Sequence, residues 1–147
     1  MSVLKIKKLR DKARIPFRAT EGSAGMDLYA CIDEPVTILP HEIELIPTGI
    51  AIEIESAEYV AYIFARSGLA IKRGVAPANC VGVIDSDYRG EVCVGLINQT
   101  ENDFTVEPFE RIAQMVISPV ILPEIEVADE LSDTQRAEGG FGSTGRS

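Results

Sequence analysis

Residues 43–65 read IELIPTGIAIEIESAEYVAYIFA, and this stretch decides the fold class. Apolar and polar residues alternate along it, and β-branched or aromatic side chains crowd its second half, a period of two rather than the helical period. It predicts strands over Ile43–Ile54 and Tyr59–Ala65. Outward from it, Val81–Ile84, Glu91–Ile97 and Ile112–Leu122 read the same way. Eight prolines and twelve glycines punctuate the chain, as frequent turns demand. Only Ser67–Lys72 and the stretch near Ala128–Asp133 suit a helical turn. The expectation is an all-β chain, a sandwich, jelly roll or barrel, without an internal repeat or a second domain.

At 147 residues, with 46% hydrophobic and 25% charged residues, the composition is that of one globular domain. Acidic residues outnumber basic ones 23 to 14, a net charge of -9 that repels phosphate backbones and argues against general nucleic-acid binding. The longest apolar runs are far short of the ~20 residues that span a bilayer. Cys31, Cys80 and Cys93 form no CxxC pair, and their odd number cannot close a disulfide framework. With His41 the single histidine, beside Pro40, neither a His/Cys zinc site nor a Ser-His-Asp triad is expected, and His41 reads as a turn residue. Met1–Lys12 lacks the apolar core of a signal peptide, so a cytoplasmic location is expected, with an organelle or the nucleus open in a eukaryote. From Ser132 the apolar pattern stops, dividing a β-rich part, 1–131, from a glycine-rich arm, 132–147, that composition predicts to be flexible alone.

Five short segments carry chemistry-bearing residues. Gly140-Phe141-Gly142-Ser143-Thr144-Gly145 satisfies G-x-G-x-x-G, but no strand pattern precedes it and no helix pattern follows, so a dinucleotide fold is not implied. Its glycines nevertheless let backbone amides converge on an anion, with Arg136, Arg146 and two hydroxyls adding donors, and Phe141 could stack on a planar ligand. Gly82-Val83-Ile84-Asp85-Ser86-Asp87-Tyr88-Arg89-Gly90-Glu91-Val92 reads as a β-hairpin with a polar loop. Asp85, directly after an apolar strand, suits a positioned general base, and Tyr88 offers a flat face to a sugar or base. Ala65-Arg66-Ser67-Gly68-Leu69-Ala70 runs from a strand end into a turn whose amides, hydroxyl and guanidinium suit phosphate oxygens, although a capped turn explains it equally. Ser23-Ala24-Gly25-Met26-Asp27-Leu28 and Glu110-Arg111-Ile112-Ala113-Gln114 mean little alone.

Taken in order, these five segments resemble the five motifs of the homotrimeric dUTPase family (deoxyuridine triphosphate nucleotidohydrolases), from Ala24 to Gly145. Two departures exist: Ala137 stands where a glycine usually follows the arginine of the last motif, and Ala65 where some members have proline. The resemblance implies a jelly-roll or β-clip subunit in a trimer whose sites draw on three subunits. It implies hydrolysis of dUTP to dUMP and pyrophosphate, in pyrimidine deoxynucleotide metabolism and the exclusion of uracil from DNA. Mg2+ is held by the triphosphate and waters with no direct protein ligand, as suits a hard ion that keeps its hydration shell.

By motif, the resemblance makes Asp85 the catalytic base and Arg66, Ser67, Gly68 and Gln114 the phosphate set. It assigns uracil to the Asn79 side chain and to backbone around Val83, Ile84 and Cys93, and it packs Tyr88 beneath the deoxyribose. Arg136, Phe141, Gly142, Ser143 and Thr144 close over bound nucleotide, with Phe141 on the base. The resemblance also leaves Asp27 to brace the first motif through Arg66, and Arg111 to a structural role. Arg66, Lys72, Arg136 and the metal set the field that the substrate meets. Two other readings on this sequence are a dCTP deaminase of the same fold, including its bifunctional form, and a catalytically silent nucleotide-binding regulator.

Overall fold

The computed structural model of the chain describes residues 3–135 and 137–139. These residues form eleven strands and one short helix: β1 (Leu4–Lys8), β2 (Met26–Tyr29), β3 (Val36–Ile38), β4 (Ile43–Pro47), β5 (Ile50–Ile54), β6 (Tyr59–Phe64), α1 (Ser67–Arg73), β7 (Val75–Pro77), β8 (Gly82–Ile84), β9 (Cys93–Asn98), β10 (Phe104–Val106) and β11 (Arg111–Pro119). Every pairing is antiparallel. The strands form a four-stranded sheet, β2-β11-β6-β8, a three-stranded sheet, β4-β9-β7, and the pairs β1-β5 and β10-β3. The expected all-β, jelly-roll type of subunit is what the chain adopts, and none of its described helices is long and apolar enough to cross a membrane.

Between the sheets lies one apolar core. Leu28, Ile38, Ile46, Ile50, Leu96, Ile112 and Met115 are fully buried in it, each taken from the inward-facing set of its strand. Two buried polar side chains are satisfied locally. Thr48 Oγ1 donates to Val92 O at 2.5 Å, and Asn98 Nδ2 donates to Ile38 O at 3.0 Å and Asn102 O at 2.8 Å while its Oδ1 accepts from Thr100 Oγ1 at 2.8 Å. His41 occupies the turn before β4 with φ +62°.

Four expectations are corrected. The run 43–54 is two strands, because Pro47 removes a backbone donor and Gly49, at φ +72°, turns the chain from the sheet of β4 to the partner of β1. Val81–Ile84 and Glu91–Ile97 are not the arms of a hairpin. β8 pairs with β6, whereas β9 lies between β4 and β7, so the polar loop crosses between two sheets. Turn-forming residues dictate that the chain bends and leave the choice of partner strand open. The last strand ends at Pro119 rather than Leu122, where the proline again ends the ladder. Residues 128–133 contain no helix. From 121 to 135 the chain has no regular structure and lies exposed.

Gly49 tests the corner. An added Cβ would lie 2.6 Å from Cys31 Sγ and 2.7 Å from Ala13 Cβ, both buried, at a backbone angle that L side chains avoid. Gly49→Ala is expected to lower the stability of the fold by at least about 2 kcal/mol. Urea unfolding of the two proteins side by side measures it, and an unchanged midpoint would contradict this account of the corner.

Candidate active site

Two clefts gather nearly all the described residues singled out above. The first, about 360 Å³, lies where the loop leaves β8 and is lined by Leu45, Val83, Ile84, Asp85, Tyr88, Glu91 and Cys93. β8 places Val83 and Ile84 in extended backbone, so their amide and carbonyl groups can meet the edge of a planar base. Asp85 follows at the strand end, exposed, and among the described residues its carboxylate accepts no hydrogen bond. Tyr88 is half exposed. Its Oη donates to Glu91 O at 3.1 Å, and its ring covers Gly90, where a Cβ would fall on the phenol oxygen. Glu91 anchors the far end of the loop, accepting from Gly49 N at 2.8 Å and Arg10 Nη2 at 3.3 Å. Burial, reinforced by the Glu91 charge, raises the pKa of the Cys93 thiol, so it remains a neutral wall of the cleft.

The second cleft, about 380 Å³, is polar and cationic. Ser23, Ala24, Gly25, Asp27, Arg66, Ser67, Gly68, Arg111 and Gln114 line it, with Ala19 at the edge. α1 opens here: Arg66 is its N-cap in extended backbone, and Leu69 N and Ala70 N return to Arg66 O. The preceding amides of Ser67 and Gly68 are those that a helix leaves without an internal acceptor. Asp27, on β2, holds two arginines: Arg66 Nε donates to Oδ1 at 2.8 Å and Arg111 Nη1 to Oδ2 at 3.1 Å. One carboxylate between two guanidiniums leaves the cleft a net positive charge and fixes both forks. Gln114 Nε2 donates to Ala65 O at 2.9 Å, its side chain crossing Gly25, where a Cβ would fall on its amide oxygen.

The clefts share no lining residue. In the β6–β8 register Ile84 faces Ala61, which puts Asp85 level with Val60, whereas Arg66 follows the opposite end of β6. Six residues of extended chain separate those levels by roughly 20 Å. One chain therefore does not bring Asp85 to Arg66.

Asn79 lines neither cleft; it is exposed in the turn before β8 with its amide near Gly82. Lys72 sits exposed on α1 away from the cationic cleft. Arg136, Phe141, Gly142, Ser143 and Thr144 lie outside the described residues. Ala137 has φ +43°, in the left-handed region that favours glycine. Leu45 and Glu91 had no sequence signal as cleft residues, one being an ordinary strand residue and the other a loop-end acid. Arg111 reaches the cleft through β11 and Asp27, a juxtaposition made by the sheet.

A family model described as dUTPase matches residues 11–145. A deoxyuridine 5'-triphosphate nucleotidohydrolase of Burkholderia cenocepacia is 49% identical over 143 residues, covering 97% of each chain. One of Desulfitobacterium hafniense is 56% identical over 137 residues, covering 92% of this chain and 91% of its own. Among solved structures, the Staphylococcus bacteriophage 80alpha dUTPase with dUPNHPP superposes with a TM-score of 0.88 at 30% identity, covering 98% of this chain and 99% of that one.

Gly25→Ala tests the cationic cleft independently of any chemistry. The methyl must push Gln114 off Ala65 O, and the affinity of the cleft for inorganic pyrophosphate is expected to fall about 5- to 10-fold while the fold is retained. Calorimetric titration reads it; unchanged affinity would remove Gln114 from the anion site.

Proposed function

The chain belongs to the dUTPase family and is a dUTP nucleotidohydrolase, and from that premise we propose how its two clefts divide the reaction between subunits. What supports this reading most is the sorting of the motif residues into a half-apolar cleft with a free carboxylate and a cationic cleft with a braced arginine pair.

Uracil enters the first cleft against the backbone of Val83, Ile84 and Cys93, with the Asn79 side chain turning in from the neighbouring loop. The narrow strand edge leaves no room for a methyl at C5, and Tyr88 beneath the deoxyribose leaves none for a 2′-hydroxyl. Asp85 accepts a proton from a water whose oxygen attacks the α-phosphorus, while the bond from that phosphorus to the bridging oxygen breaks and pyrophosphate leaves. Arg66, Ser67, Gly68 and Gln114 receive the phosphates, with Asp27 setting the Arg66 rotamer. Positioning and charge neutralisation supply most of what phosphoryl transfer needs. Arg136, Phe141, Gly142, Ser143 and Thr144 close over the nucleotide.

Magnesium fits this donor set as a substrate-borne ion. Asp27 is already engaged by two guanidiniums, and among the described residues no three His, Cys, Asp or Glu side chains gather as a cage. Carried in with the triphosphate, the ion would supply charge neutralisation there.

The separation of Asp85 from Arg66 requires the phosphate cleft of one copy to face the base cleft of another, and a trimer with shared sites does this. The apolar side chains of Ile121, Ile125, Val127 and Leu131, 87–94% exposed in the single chain, are surface that such an assembly covers.

Two outcomes follow. With magnesium, pyrophosphate release is expected to be far faster from dUTP than from dCTP, dTTP or UTP, and Asp85→Asn is expected to bind dUTP while losing about 10²–10⁴ in turnover. Ammonia from dCTP would place the chain with the deaminases, and undiminished turnover in Asp85→Asn would remove Asp85 from the chemistry. The double substitution Ile125→Asp with Val127→Asp is expected to shift the assembly toward monomer, each lost apolar contact costing about 1.5–3 kcal/mol. Sedimentation velocity across a dilution series measures this, and an unaltered trimer would show Ile125 and Val127 to be idle in assembly.

A further inference from the structure

We propose that Arg89 is a positioning residue that holds the Asp85–Glu91 loop in the shape on which rejection of a 2′-hydroxyl depends. The inference rests on the reading of Tyr88 as the surface beneath the deoxyribose.

The loop carries both Asp85 and Tyr88 but has no strand pairing of its own between β8 and β9. Its internal ties are few. Tyr88 N donates to Asp85 O at 3.2 Å and closes one turn. Arg89 Nη1 then donates to Ser86 O at 2.7 Å and to Tyr88 O at 3.0 Å, so a single nitrogen ties the carbonyls on either side of Asp87. On its other side the guanidinium faces β5, with Nε 4.0 Å from Glu53 Oε2. Glu53 Oε1 in turn accepts from Lys5 Nζ, on β1, at 2.5 Å. Arg89 Nη1 is thus the first strap of the loop, and the rest of its guanidinium faces the β1-β5 pair across an exposed ion pair.

The second strap holds the ring. Tyr88 Oη donates to Glu91 O, and the ring lies over Gly90. The two straps meet at Tyr88: Arg89 holds its carbonyl, and Glu91 holds its phenol. The guanidinium meets both carbonyls through Nη1 while Nε faces Glu53, a division between two nitrogens that an ammonium on a shorter stem does not reproduce. Lys5 holds the Glu53 carboxyl below its usual range, first through the hydrogen bond and then through its charge, so Glu53 stays ionised opposite Arg89 at neutral pH.

Stability of the whole fold is not what Arg89 contributes. It is half exposed, and an exposed ion pair at this distance adds little. Its two backbone contacts instead act on a loop where an error of about 1 Å decides whether one hydroxyl fits. A role as a loose cation attracting the triphosphate would look different. It would act alike on dUTP and UTP, and lysine would replace it.

The test is the ratio of kcat/KM for dUTP to that for UTP, measured with magnesium on the full chain, on Arg89→Met and on Arg89→Lys. The fraction of active enzyme cancels in this ratio, so partial misfolding does not move it. Arg89→Met is expected to lower the ratio about 10-fold or more, with Arg89→Lys recovering little of it. Glu53→Gln is expected to lower it less and in the same direction. A wild-type ratio in Arg89→Met, whatever its rate, or full recovery in Arg89→Lys would overturn the inference and leave the reading of Tyr88 standing. A wild-type enzyme that turns over UTP as well as dUTP would overturn both.

Discussion

Backbone hydrogen bonds between β8 and β6 hold Ile84 beside Ala61, and through them hold Asp85 at one end of β6 while Arg66 leaves the other. The remaining features of the site depend on that register. A slip by one residue would turn Val83 and Ile84 over and move the loop with its carboxylate to the other face. The register is kept by the inward face of β6: Ala61 and Ile63 join the buried core, and Gly82 packs its bare Cα against Ile63. The four-stranded sheet is thus a ruler with chemistry at both ends. A triphosphate is much shorter than the ruler, which is why the proposed reaction is divided between copies.

Charge is arranged on the same plan. A chain of net charge -9 would repel a nucleoside triphosphate, yet its cationic cleft contains two arginines sharing one aspartate. Asp27 lowers the cost of holding the two guanidiniums together and fixes their directions, as the proposed capture of phosphate oxygens asks. Asp85 stands in the other cleft, free of basic partners among the described residues.

Much of this was legible in the residues alone, for identifiable reasons. β4, β6, β9 and β11 announce themselves by β-branched and aromatic runs, and α1 by a capped turn after Ala65. The residues of β1, β2, β3, β7 and β10 announce no strand, and the last three, at three residues each, are too short to show a period of their own. Local signals say where a chain bends and leave open which strand it then meets, so the loop of Asp85 and Tyr88 read as a hairpin although it bridges two sheets. The same blindness hid Leu45, Glu91 and Arg111, whose places in the clefts are made by pairing across long sequence separations. Ala137 shows the opposite case: its departure from the glycine usual in the motif acquires a meaning only once its φ of +43° is known.

The division of the reaction between copies is tested most directly by complementation. Asp85→Asn and Arg66→Gln chains, each inactive alone, are unfolded, mixed in equal amounts and reassembled. If Asp85 of one copy works on phosphates held by Arg66 of another, random mixing makes about a quarter of the sites intact, and dUTP turnover returns to that level. If both residues serve the same site from the same chain, every site carries a lesion. Turnover that stays at the level of the parent variants, in trimers shown to be mixed, would contradict the account.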